Sequence, residues 1–168
     1  SQLFSRGWVE KLATGETTKL RIAKDTLKIG TWNVQTLWST GKLELLRKEM
    51  EPYKCDILGL AEMRWTGCGE MNSGEVLWSG EEKEHVKGVG FLLSKRAQSA
   101  LLGYFPVNSR MMVARFSAKP MNVAVVQIYA PTADSTEEEI ETFYEQLEET
   151  LRSIPKKDIK LIMGDWNA

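Results

Sequence analysis

Four places in the sequence set a polar side chain where a strand-like apolar run ends. Asn33 lies at the end of Leu27–Val34, Glu62 follows Cys55–Ala61, Tyr129 ends the run that starts at Val123, and Asp165 and Asn167 follow Ile159–Met163. A carboxylate in such a set can hold a hard divalent cation such as Mg2+, which prefers oxygen ligands. A second carboxylate can orient and deprotonate a water. Asn and Tyr can donate hydrogen bonds to phosphate oxygens as charge develops on them. Together these groups are the components of metal-assisted phosphodiester hydrolysis. Taken singly, each also has an ordinary reading. Asn satisfies turn geometry, Glu is a solvated loop residue, Tyr caps a core with its hydroxyl in water, and Gly164-Asp165 is a turn.

The elements that must carry these groups alternate between strand and helix patterns. Residues 1–26 are polar, show no sustained period, and read as a tail or linker ahead of a domain spanning 27–168. From Gly41 to Tyr53, Leu43, Leu46, Met50 and Tyr53 fall on one helical face, and Pro52 limits how far that helix runs. A loop is expected from Thr66 to Gly74. Glu75–Ser79 and Val86–Ser94 read as a strand pair, as do Met111–Phe116 and Met121–Ala130. The run Val123–Tyr129 alternates little, which predicts a central strand buried on both faces. Ser135 with Glu138 fits a capping box, and the helix it opens carries Ile140, Phe143, Tyr144, Leu147 and Leu151 on one stripe. Strand, helix, several strands, helix, strand is the order of an α/β layered protein.

At 168 residues, 42% hydrophobic and 27% charged, the composition is that of one globular domain. No apolar run is long enough to span a membrane. A net charge of -1 argues against broad electrostatic binding of nucleic acid, though not against a phosphodiester held locally by a metal ion. The eight acidic residues between Asp134 and Glu149, with no Lys or Arg among them, read as the solvated face of a helix. Cys55 and Cys68 form neither a disulfide framework nor a metal spacing, so a reducing, intracellular location is expected, the nucleus included. The N-terminus has no signal-peptide core and no initiator Met, which suggests a fragment or processed product.

Taken together, Thr31-Trp32-Asn33-Val34, Leu60-Ala61-Glu62, Ile128-Tyr129-Ala130-Pro131 and Gly164-Asp165-Trp166-Asn167-Ala168 resemble the endonuclease/exonuclease/phosphatase (DNase I-like) superfamily. Arg64-Trp65-Thr66-Gly67, Lys87-Gly88-Val89-Gly90, the Arg110–Phe116 strand and Pro155-Lys156-Lys157-Asp158 look like the endonuclease domain of RTE-type non-LTR retrotransposons. The resemblance covers about residues 27–168 and the first half of that domain. It implies an α/β fold, a partial four-layer αββα sandwich, with mostly one sheet and its helices. It implies Mg2+ or Mn2+ as cofactor and DNA as substrate. Carried over residue by residue, Glu62 is the metal ligand, with Asp165 and Asn167 as further metal contacts. Asp165 orients and deprotonates the attacking water, Asn167 and Tyr129 contact the phosphate, and Asn33 supports phosphate and Asp165. Gln35 departs from abasic-site endonucleases, which carry a carboxylate there.

The later family motifs, an Asp at a strand end and a terminal Ser-Asp-His, have no counterpart in this sequence. The only histidine, His85, lies in a Glu/Lys-rich turn. The expectation is therefore a truncated endonuclease-like domain, inactive alone and with an incomplete cation site. Its uncovered apolar surface should make it unstable as a monomer, self-associating, or dependent on a partner chain. Two other functions fit the same residues. One is a phosphatase or phosphodiesterase on the same fold; the other is a non-enzymatic remnant or interaction module.

Overall fold

The computed structural model describes residues 7–10, 20–21, 27–37 and 41–167. Strands β1 (Val9–Glu10) and β2 (Leu20–Arg21) precede β3 (Ile29–Asn33). Helix α1 (Lys42–Met50) opens at Gly41, whose φ of 88° is left-handed, and gives way to a 3-10 turn at Glu51–Tyr53 that carries Pro52. Leu46 is buried on the expected face, but Tyr53 is exposed. The tighter 3-10 turn rotates it away from the stripe. Strand β4 (Ile57–Ala61) is buried throughout.

The loop expected from Thr66 to Gly74 is instead an edge strand, β5 (Cys68–Met71), followed by a 3-10 turn at Asn72–Gly74. Gly67 and Gly69 dilute its alternation, which hides it in the sequence. β5 pairs antiparallel with β6 (Val76–Ser79), and β6 with β7 (Val89–Leu93). Ser94 caps the short helix α2 (Lys95–Ala100) by accepting the Ala97 N–H at 3.1 Å. Next comes β8 (Leu101–Asn108), which the sequence pattern does not announce because Pro106 interrupts it. Strands β9 (Met111–Phe116), β10 (Ala118–Lys119) and β11 (Val123–Tyr129) follow. Helix α3 (Glu137–Ser153) is capped one residue later than expected. Thr136 Oγ1 accepts the Glu139 N–H, and the Glu139 carboxylate accepts the Thr136 N–H, both at 3.2 Å. Its buried face is narrower than the predicted stripe: Phe143 and Leu147 are buried, while Tyr144 is exposed. Strand β12 (Ile159–Asp165) closes the described chain.

The strands form two five-stranded sheets, ordered β5-β6-β7-β4-β3 and β1-β8-β9-β11-β12, and a small β2–β10 pair. This corrects the expectation of mostly one sheet. Ile57, Phe91 and Leu93 of one sheet meet Met112, Phe116 and Val125 of the other in a shared core. α1 packs Leu46 against Leu58 and Leu60 on one outer face. α3 packs Phe143 and Leu147 against Val113, Val126 and Ile128 on the other. The alternation of β11 serves both faces: Val123 and Val125 point between the sheets, and Ala124, Val126 and Ile128 point toward α3. The result is the four-layer αββα arrangement expected. Two stretches of 1–26, read as tail or linker, are paired into sheets: Val9 and Glu10 lie opposite Tyr104 and Gly103, and β2 lies beside β10. The Trp8 ring meets Phe105 edge-on.

Both sheets end on the same side in parallel pairs, β3 beside β4 and β12 beside β11. Trp32, Leu161, Ile162 and Trp166 are exposed along this side. At the foot of β12, Arg115 holds the buried Asp158 carboxylate in a two-pronged ion pair, at 2.6 Å through Nε and 3.1 Å through the Nη2 nitrogen.

Candidate active site

Parallel pairing brings strand ends together. Asn33 sits opposite Ala61 at the end of β3 and β4, which sets Glu62 one residue beyond. Tyr129 sits opposite Asp165 at the end of β11 and β12. The two pairs belong to different sheets, and they meet across the seam. The Tyr129 hydroxyl donates to Glu62 Oε1 at 2.8 Å. The Asn33 side-chain amide donates to Asp165 Oδ2 at 3.5 Å, the outer limit of a hydrogen bond. Asn33 is oriented for this because its own Oδ1 accepts the Gln35 N–H at 3.1 Å. Asp165 Oδ1 accepts the Asn167 N–H at 2.9 Å, and the Asn167 side-chain amide donates to the Ala130 carbonyl. All five expected residues are thus drawn together. An open cleft of about 300 Å³ lies beside them, lined by Trp32, Asn33, Ala61, Asp165, Trp166 and Asn167 but not by Glu62 or Tyr129.

Local backbone explains how the acids are aimed. Glu62 has φ 54° and Asn167 φ 47°, both left-handed. Such conformations persist where surroundings fix them, and they cluster at functional sites. Here Met63 N–H donates to the Gly88 carbonyl at 3.1 Å and Arg64 N–H to the Lys87 carbonyl at 2.8 Å. Gly164, with φ 136°, lets β12 press onto Ile128 so that Asp165 reaches the cleft. One layer below, the fully buried Gln127 donates to Thr31 Oγ1 at 3.3 Å and ties the sheets together.

Two arginines join the site that strand-end reasoning did not single out. Arg110 donates to the Tyr129 carbonyl at 3.0 Å and lies 5.3 Å over the Tyr129 ring. Burial lowers the Arg110 pKa from its ordinary value. Burial, then the hydrogen bond to Glu62, raises the Tyr129 pKa, so its hydroxyl stays a proton donor at neutral pH. The Arg64 guanidinium stands 3.7 Å from Glu62 Oε2. Arg64 did contribute to the retrotransposon-like stretch, but nothing in its spacing shows that it reaches the Glu62 carboxylate.

Among the described residues, no three His, Cys, Asp or Glu side chains gather at one metal-sized point. The donors present are two carboxylates and two side-chain amides, all hard oxygen ligands. Mg2+ is commonly held by one or two carboxylates, with water and substrate phosphate completing its shell. The donor chemistry therefore fits such an ion. Glu62 Oε2 is the oxygen that Tyr129 leaves available, whereas both Asp165 oxygens already accept hydrogen bonds.

The same arrangement of layers occurs in solved nucleases. The endonuclease domain of TRAS1, a telomere-specific non-LTR retrotransposon, superposes with a TM-score of 0.59 at 19% identity, over 85% of this chain and 60% of that one. The AP endonuclease LMAP from Leishmania major gives 0.59 at 17% identity, over 83% and 54%. D. rerio TDP2 complexed with single strand DNA product gives 0.54 at 12% identity, over 84% and 61%. The chain therefore shares the DNase I-like fold of these proteins. In sequence it is similar to Craniofacial development protein 2 of Bos taurus, 42% identical over 157 residues, and of Tragulus javanicus, 41% identical over 158. Those matches cover 92% and 93% of this chain but 26% and 27% of the relatives, so the chain spans about a quarter of their length. No family model matches. No described helix is long and apolar enough to cross a membrane.

Proposed function

We propose that this chain carries the cation-binding and water-activating part of a metal-dependent DNA endonuclease site of retroelement type. The observation behind the reading is the contact of Tyr129 with Glu62 at 2.8 Å across the sheet seam, beside the Asn33–Asp165 pair. Glu62 holds the Mg2+ or Mn2+ ion, with Asp165 and Asn167 at its margin. The bound ion supplies charge neutralisation at the phosphate. Asp165 orients the attacking water and takes its proton, and Asn33 holds the Asp165 carboxylate at the right angle. Tyr129 fixes Glu62 through its hydroxyl and offers the same group to a phosphate oxygen, while Asn167 contacts the phosphate. The substrate is DNA: as the water oxygen bonds to phosphorus the P–O3′ bond breaks, and the leaving 3′ oxygen takes a proton from solvent, giving a nick with a 3′-hydroxyl and a 5′-phosphate. A DNA substrate fits an intracellular location that includes the nucleus.

The exposed Trp32, Leu161, Ile162 and Trp166 side is covered by a second copy or a partner chain. The test of the site is Mn2+ binding followed by water-proton relaxation, together with binding to a DNA duplex. Glu62→Gln should weaken Mn2+ binding at least tenfold and leave the fold intact. Asp165→Asn should weaken it less and leave DNA binding in place. Equal Mn2+ affinity in wild type and Glu62→Gln would remove the basis of the reading.

A further inference from the structure

The two oxygens of Glu62 face different partners. Oε1 accepts the Tyr129 hydroxyl, and Oε2 faces the Arg64 guanidinium at 3.7 Å. Arg64 is rooted firmly. Its N–H donates to the Lys87 carbonyl at 2.8 Å, and its own carbonyl lies 3.0 Å from His85 Nδ1. Its φ is 61°, and a Cβ added at Gly88 would approach its nitrogen to 3.1 Å, so the 87–88 backbone is closely fitted against it. The side chain has the opposite character. It is 44% exposed, against 21% for Glu62, so its tip faces solvent beside the Glu62 carboxylate. A fixed root with an exposed cationic tip beside the available Glu62 oxygen is an arrangement with two uses for that tip.

A divalent cation at Glu62 Oε2 and a guanidinium at the same oxygen repel one another. A phosphodiester supplies an alternative partner for the guanidinium, and arginine forks match phosphate oxygens in two-pronged hydrogen bonds. We infer that Arg64 gates cation binding. It covers Glu62 Oε2 in the free chain and is drawn off by a DNA phosphate, so metal and DNA bind cooperatively. This rests on the assignment of Glu62 as cation ligand. It adds a residue and a coupling that the assignment does not require. Linkage makes the coupling reciprocal: DNA raises cation affinity by the factor by which the cation raises DNA affinity.

The experiment measures Mn2+ affinity of the chain by water-proton relaxation, with and without a short phosphorothioate DNA duplex. Wild type should bind Mn2+ more tightly when the duplex is present. Arg64→Gln should bind Mn2+ about two- to fivefold more tightly than wild type without DNA, the factor appropriate to an ion pair of this exposure. It should also lose most of the gain that DNA produces. Arg64→Lys, which keeps the charge, should retain part of that gain. A structural role alone would not tighten cation binding, and the unfolding midpoint of Arg64→Gln should match wild type. Unchanged Mn2+ affinity in Arg64→Gln, or a DNA-induced gain that survives it, overturns the gate while leaving Glu62 as ligand. Mn2+ affinity unaffected by Glu62→Gln overturns both.

Discussion

Replacing Gly164 with alanine should dislodge Asp165 and destabilise the whole sandwich. Gly164 lies opposite Ile128 in the parallel pairing of β11 and β12. Its φ of 136° lies in a region that L side chains rarely adopt, which costs about 1–2 kcal/mol for alanine. The added Cβ would lie 2.0 Å from the Ile128 carbonyl oxygen and 2.8 Å from its nitrogen. Ordinary contact is about 3.5 Å, so the end of β12 must move out by about 1.5 Å. Backbone, unlike a flexible side chain, cannot yield locally. The displaced strand end loses the Ala130 N–H bond to the Asp165 carbonyl, now 2.8 Å, for about 1 kcal/mol more. With the residual strain the sum is about 3–4 kcal/mol, a large part of a domain's usual stability of about 5–15 kcal/mol. Gly30 provides the control. A Cβ there meets only Leu58 Cδ1 at 3.6 Å and Cys55 Sγ at 3.8 Å. Gly30→Ala should shift stability by about 0.5 kcal/mol or less. Urea unfolding at fixed chain concentration, with Mn2+ affinity measured in parallel, separates the two. If Gly164→Ala unfolds with the wild-type midpoint, or Gly30→Ala falls as far, the steric argument is wrong.

Three further outcomes are expected. Burial, with the charges of Glu70 and Cys68, pushes the Tyr104 pKa to about 12. The unfolded chain ionises this group near pH 10. Its contribution is therefore complete below pH ~10 and lost as pH rises toward 12, so Tyr104→Phe should flatten the decline in unfolding midpoint across that window. Asp158→Ala leaves Arg115 partly buried without its carboxylate, which should cost about 2–3 kcal/mol in denaturant unfolding, less than a fully buried pair because Arg115 keeps some solvent. Ile162→Lys and Leu161→Lys place charge on the uncovered side. Sedimentation should show less association than in wild type at equal concentration, whereas a monodisperse wild-type monomer would refute a covered face.

The chemistry-bearing strand ends were legible because each breaks an apolar run with a residue a buried strand would not choose. Val123–Tyr129 was legible as a central strand because both of its faces are buried, one by the opposing sheet and one by α3. Elements with weak patterns were not. Glycines blur β5 in one sheet and Pro106 interrupts β8 in the other, so neither was read as a strand. The cap of α3 was ambiguous because Ser135-Thr136 followed by Glu137, Glu138 and Glu139 supports two registers; the buried Phe143 and Leu147 select the later one. Arg64 and Arg110 act through proximity that only tertiary folding creates. Arg110 comes from the turn between β8 and β9, far in sequence from the Glu62 that Tyr129 contacts.

Glu62 and Asp165 grow from separate sheets, and that division sets how the site fails. A slight shear of one sheet past the other would part the two acids while leaving every ladder within each sheet intact. Chemistry would then vanish while circular dichroism still recorded a native spectrum. The acid pair is in effect a caliper on the interlayer register, and the buried Gln127–Thr31 bridge beneath it is the bolt that keeps the caliper closed.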